Sequence, residues 1–178
     1  MSTNLQFIKE NTLVDTITSA WNLGTTSDKF FTDQYEVYFI TTDFSGSTTN
    51  PEAIQMRLID SSGSVLSGSN YDRATRRMFS HASFNDQKNE DATSWTGLWG
   101  EYDQAPENAL GSAYIFNPES SSSYTSLVSQ SASKEAGNFT TRKTIAMYKV
   151  AETIIGVQFL VTNTDYFNNA VVKLYGVK

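Results

Sequence analysis

The chain has 178 residues, a length that suits one domain, and its 39% hydrophobic and 13% aromatic content excludes a disordered composition. A formal net charge of −6 argues against nucleic acid or an anionic membrane as the main partner. The absence of cysteine excludes disulfide staples, thiol catalysis, zinc–thiolate sites and iron–sulfur clusters.

Strand patterns recur from the start of the chain. Alternating or apolar runs predict strands over Leu5–Lys9, Thr12–Thr18, Tyr35–Thr41, Ala53–Ile59 and Tyr71–Ser80, then Ala113–Asn117, Tyr124–Ser129, Thr144–Val150, Thr153–Leu160 and Ala170–Val177. Stretches rich in Ser, Asn, Asp and Gly separate them at 24–28, 43–51, 61–70, 85–93, 117–123 and 163–169. Asp60-Ser61-Ser62-Gly63 predicts a tight reversal after Ala53–Ile59. A second hairpin is expected across Ala151-Glu152, although it lacks the favoured Gly or Asn. Only Asp103–Leu110 suggests a helical turn. In the last strands Val157, Phe159 and Val161 share one face, and Val172 and Leu174 share another, so both should bury one side in a sheet that ties down the C-terminus. About ten short strands with polar turns predict an all-β fold, an antiparallel β-sandwich of jelly-roll type with little or no helix. Residues 1–178 read as one domain with a long inserted loop around 80–109.

Catalytic material is sparse. The one histidine, His81, lies among serines, but no G-x-S-x-G segment accompanies it. Glu90, Asp91, Glu101 and Asp103 offer carboxylates for glycoside chemistry, and Asp86, Asn89, Glu90 and Asp91, with Asn163 and Asp165, offer oxygens for calcium. Neither set has a motif spacing, and the ordinary reading of both is solvated loop. Asn138-Phe139-Thr140 matches a glycosylation triplet, a pattern that chance often produces. No catalytic residue, metal or cofactor is expected.

Two groups stand out as candidate contacts. Trp95, Trp99 and Tyr102 place three large rings within eight residues, suited to sugar stacking, to a protein interface or to plugging the end of a sandwich. Arg73, Arg76 and Arg77 form a basic group beside Tyr71 and Met78, read as a solvated or interfacial strand face, or as a dock for an acidic neighbour. No apolar run approaches the roughly 20 residues that span a bilayer, so no membrane insertion is expected. The start of the chain lacks the basic and apolar regions of a signal peptide.

Four patches together resemble a family of small β-rich virion proteins of tailed bacteriophages, especially of marine and cyanobacterial hosts. They are Leu5-Gln6-Phe7-Ile8; Asp33-Gln34-Tyr35-Glu36-Val37-Tyr38-Phe39-Ile40; Gly111-Ser112-Ala113-Tyr114-Ile115-Phe116-Asn117-Pro118 with Glu119 and Ser120–Tyr124; and the closing Thr153–Phe159 with Val172–Val177. The resemblance implies a non-enzymatic structural protein at the surface of the phage particle. Head decoration is the first expectation, because strand pattern begins by Leu5 with no shaft or anchor before it. A tail-fibre or receptor-binding protein, or a lectin-like glycan-binding module, is the alternative. Implied partners are capsid or tail proteins, further copies of the chain in a homo-oligomer such as a trimer, and a host-surface glycan.

Overall fold

A computed structural model describes residues 4–15, 18–46, 52–102, 108–135, 137–161 and 167–178. Among them are twelve strands: β1 (Leu5–Leu13), β2 (Ala20–Leu23), β3 (Val37–Gly46), β4 (Glu52–Asp60), β5 (Tyr71–Phe79), β6 (Asn85–Ala92), β7 (Trp95–Tyr102), β8 (Ala109–Phe116), β9 (Thr125–Glu135), β10 (Asn138–Tyr148), β11 (Ile154–Leu160) and β12 (Phe167–Val177). They form an eight-stranded sheet, order β1-β12-β3-β8-β9-β10-β5-β6, and a four-stranded sheet, order β2-β11-β4-β7. Every pairing is antiparallel. The all-β sandwich read from the sequence is present, divided eight and four.

The two sheets share one apolar core. Tyr38, Ile40 and Phe44 of β3, Ile115 of β8, and Val172 and Leu174 of β12 meet Met56 and Leu58 of β4, Trp95 and Trp99 of β7, and Val157 and Phe159 of β11. Each side contributes alternate residues, as the pleat requires. Phe30 and Phe31 join this core from the β2–β3 connection, held by their amides, which donate to Ile155 O at 2.8 and 3.0 Å.

β7 fastens the small sheet to the large one. It pairs with β4 at both ends, but the register breaks between Ala53/Glu101 and Gln55/Thr96. The unpaired residues, 97–100, bulge towards β8 and β9. Gly97 has φ of +69°, which suits a bulge. A Cβ on Gly111 would lie 2.5 Å from Trp99 Cε3, and one on Gly100 would lie 2.1 Å from Ser133 Oγ. Two glycines thus let the Trp99 segment sit down on the large sheet, where Ser129 Oγ donates to Leu98 O at 3.3 Å.

The structure changes several sequence expectations. Leu5–Lys9 and the start of the expected Thr12–Thr18 strand are one continuous strand, Leu5–Leu13, with an irregularity between Phe7 and Lys9; residues 16 and 17 lie outside the described residues. Residues 80–109 are not one long loop, since they hold β6 and β7. In β6, sequence NDQKNEDA, no apolar period exists to be read; backbone pairing with β5 makes the strand. Ala151-Glu152 does not close a hairpin, because β10 and β11 lie in different sheets. The chain crosses there, with Tyr148 Oη donating to Glu152 at 2.8 Å and Ile154 N to Pro118 O at 2.7 Å. Asp103–Leu110 lies largely outside the described residues, and Ala109 and Leu110 begin β8.

The reversal at Asp60–Gly63 forms as expected. Asp60 Oδ1 accepts Ser62 N at 2.8 Å, Ser62 Oγ at 2.6 Å and Ser64 N at 2.9 Å. Partial burial disfavours the Asp60 carboxylate, but these donors outweigh it, so its pKa lies below the usual aspartate value. A depressed folded-state pKa gives stability that is present above the unfolded value and is lost as pH falls through the folded one. Asp60→Asn is therefore expected to destabilise at neutral pH, with the difference from wild type shrinking as pH falls through the depressed folded-state pKa, measured by urea unfolding across pH.

Candidate functional site

Of the readings offered for Trp95 and Trp99 the core one holds, and the arginines do not act as one group. Trp95 and Trp99 are fully buried, so they are core rather than contact residues. Trp95 packs edge-on against Tyr71, ring centres 5.2 Å apart, and its Nε1 donates to Met147 O at 3.3 Å. Neither ring is open to a sugar. Tyr102 ends β7; its side chain lies outside the described residues.

Strand alternation divides the arginines. Arg73 and Arg77 point inward, in line with buried Tyr71 and Thr75, whereas Arg76 points outward with Ala74. Arg77 lies over the Phe79 ring, 5.1 Å from its centre. Arg142 of β10 is 2% exposed and shares the inner face with a buried Thr75–Thr144 hydroxyl contact of 2.8 Å. Burial works against the charge of Arg73, and the neighbouring Arg142 and Arg77 add to the effect. Outward Arg76 grips Asp86 through two bonds, Nε at 2.8 Å and Nη2 at 2.7 Å. Both groups are solvated, so the pair fixes geometry more than it adds stability.

The other candidate chemistry does not converge. His81 is exposed and its ring meets Phe79 at 5.7 Å. Asp86 is taken by Arg76, and Asp91 pairs with Lys149. Among the described residues, no three His, Asp or Glu side chains gather to hold a metal ion. Asn163, Asp165 and Asp103 lie outside the described residues.

What the fold does assemble is a surface. Register places Phe7, Tyr175, Phe39, Tyr114, Val128, Ile145 and Ala74 side by side, on successive strands from β1 to β5, with Lys88 of β6 at the end. This apolar rib crosses seven of the eight strands of the large sheet on the face turned away from the core. Phe7 is 54% exposed, Tyr114 40%, Val128 45% and Ile145 62%. Ring contacts knit its aromatic half: Phe7–Tyr175 at 5.6 Å, Tyr175–Phe39 at 6.0 Å and Phe39–Tyr114 at 4.8 Å.

One pleat along, a second row is wholly polar: Glu10, Lys173, Thr41, Ser112, Gln130, Lys143, Arg76 and Asp86. Ion pairs close both of its ends, Glu10–Lys173 at 3.2 Å and Asp86–Arg76 at 2.7 Å. Between the rows, towards β6, lies a shallow depression of about 830 Å³ lined by Ala74, Lys88, Val128, Gln130, Lys143 and Ile145. On the far side of the rib run Val37, Phe116, Ser126, Met147 and Asp72.

The sequence carries a trace of this face. Phe39, Tyr114 and Tyr175 are the outward members of alternating strands. Their alignment depends on register between distant segments, which no local pattern reveals. Compared with known protein families, curated proteins and solved structures, the chain matches none of them.

Proposed function

We propose that this chain is a non-enzymatic structural protein at the surface of a tailed-phage virion, and that it decorates the head. The observation that carries the reading is the apolar rib, which crosses seven strands in register and which no other described element covers. Exposed apolar surface of this extent marks an interaction site, and a protein that takes its place in a lattice needs a broad one. The phage resemblance adds support from a separate direction. Four of the five strands its patches touch, β1, β12, β3 and β8, are neighbours in the large sheet, and the fifth, β11, lies in the small one.

Ring geometry favours a protein neighbour over a polysaccharide. Along the rib the successive rings are inclined by 69°, 45° and 41°, so they form no flat platform for a sugar chain. The test is the protein's place and abundance in purified particles, by quantitative mass spectrometry and immunogold labelling. Head decoration predicts many copies, on the scale of the shell protein, with label over the head. A few copies at the tail tip would make it a tail protein, and absence from the particle would overturn the virion reading.

A further inference from the structure

We infer that the outer face of the eight-stranded sheet is a pairing surface for a second copy of this chain, related by a two-fold axis that runs along the apolar rib. The inference rests on reading this face as a docking surface, but it holds whether or not the assembly is a virion.

Size comes first. Strands about 4.8 Å apart and about 3.4 Å per residue give the face a footprint of roughly 1,000 Å². A standard stable interface needs about 800 Å² from each partner. Two such sheets stacked face to face repeat the sheet-on-sheet packing of the molecule's own core.

Charge selects the occupant. The chain carries −6, so two copies repel on average. On this face, however, Glu10 is ion-paired with Lys173 and Asp86 with Arg76. Lys88 at the end of the rib is likewise paired with Glu90 at 3.4 Å, and Lys143 is balanced by Asp72 across the rib, so the face mixes both signs and offers no single-sign field for a strongly acidic or basic partner. It is a surface on which copies of an acidic protein can meet with little repulsion.

Symmetry completes the argument. An isologous contact lays a patch on itself. Because the rib is a single row in register, a half-turn about an axis along it carries each rib residue towards its own copy, Val128 towards Val128. The same turn exchanges the rows on either side, which carries Arg76 of one copy towards Asp72 of the other. Met147, 42% exposed, then covers the aliphatic stem of Lys143.

Sedimentation velocity on the purified full chain tests the pairing. Wild type is expected to sediment as a dimer with an unfolding midpoint that rises with protein concentration, and Ile145→Glu as a monomer whose midpoint does not depend on concentration and equals that of wild type diluted until it dissociates, since the side chain is exposed in the single copy. Because the chain has no cysteine, Val128→Cys supplies a unique thiol. A short bis-maleimide should link it to its own copy, while Ser62→Cys on the exposed β4–β5 turn should remain unlinked. A monomeric wild type, a dimeric Ile145→Glu or an unlinked Val128→Cys each overturns the pairing. So does a wild-type monomer that binds purified capsid shells through this face, which would make shell protein the occupant. Localisation in the particle does not enter these measurements, so failure of the pairing and failure of the virion reading are told apart.

Discussion

Trp99→Ala is expected to cost about 4 kcal/mol, the range for deleting a large buried ring, and to be the most damaging single truncation in β7. The ring has no solvent exposure and sits over Gly111, with Phe159 at 5.9 Å on its other side. Its neighbours cannot fill the gap: Gly111 has no side chain, and β8 is held on both flanks by β3 and β9. The lost volume therefore remains as a cavity between the sheets. The Trp99 indole N–H finds no acceptor among the described residues, so Trp99→Phe, which removes that buried donor and keeps most of the apolar volume, should lose much less. Urea unfolding followed by far-ultraviolet circular dichroism measures both. A loss under about 1 kcal/mol for the alanine variant would deny Trp99 its place in the core.

Gly156→Ala is the second large effect, and it acts by crowding rather than by loss. A Cβ at this position would lie 2.3 Å from Leu23 O and 3.1 Å from Gly24 Cα. Both are backbone atoms, so no rotamer change can relieve the contact. β11 would have to part from the β2 end of the small sheet, at a cost of about 3 kcal/mol, the upper part of the usual overpacking range. Gly137→Ala provides the comparison. Its φ is +82°, but an added methyl there meets nothing within 4 Å. That variant should cost only about 1 kcal/mol, from backbone strain alone. Equal losses for the two would place the Gly156 effect in backbone freedom rather than in the close approach of β2.

Legibility in the sequence followed apolar alternation. β4, β5, β11 and β12 were readable because one face of each is buried; Val157, Phe159, Val172 and Leu174 show the pattern and are buried in the structure. β6 was not readable, because an edge strand with both faces wet has no period to detect. Its charged residues also deter further pairing at the sheet edge. β2, four residues long, is too short to show a period. β7 was misread as loop because its glycines and polar residues resemble a turn, whereas they make the bulge that sets Trp99 into the core. The arginines were misgrouped because neighbours in sequence point to opposite faces of a strand. As for the candidate face, each outward residue could be named from its strand, but the rib needs six register choices, four of them between distant segments. Those are properties of the folded sheet.

That origin has a consequence for assembly. No peptide cut from this chain contains the rib, because its members come from β1, β12, β3, β8, β9, β10 and β5. The surface comes into being only when the first and last described strands have zipped together across the middle of the sequence. A nascent or half-folded chain therefore presents scattered apolar side chains and no continuous rib. On the proposed docking role, completion of the sheet would act as a licence, since only a finished subunit would carry the shape for a neighbour to accept.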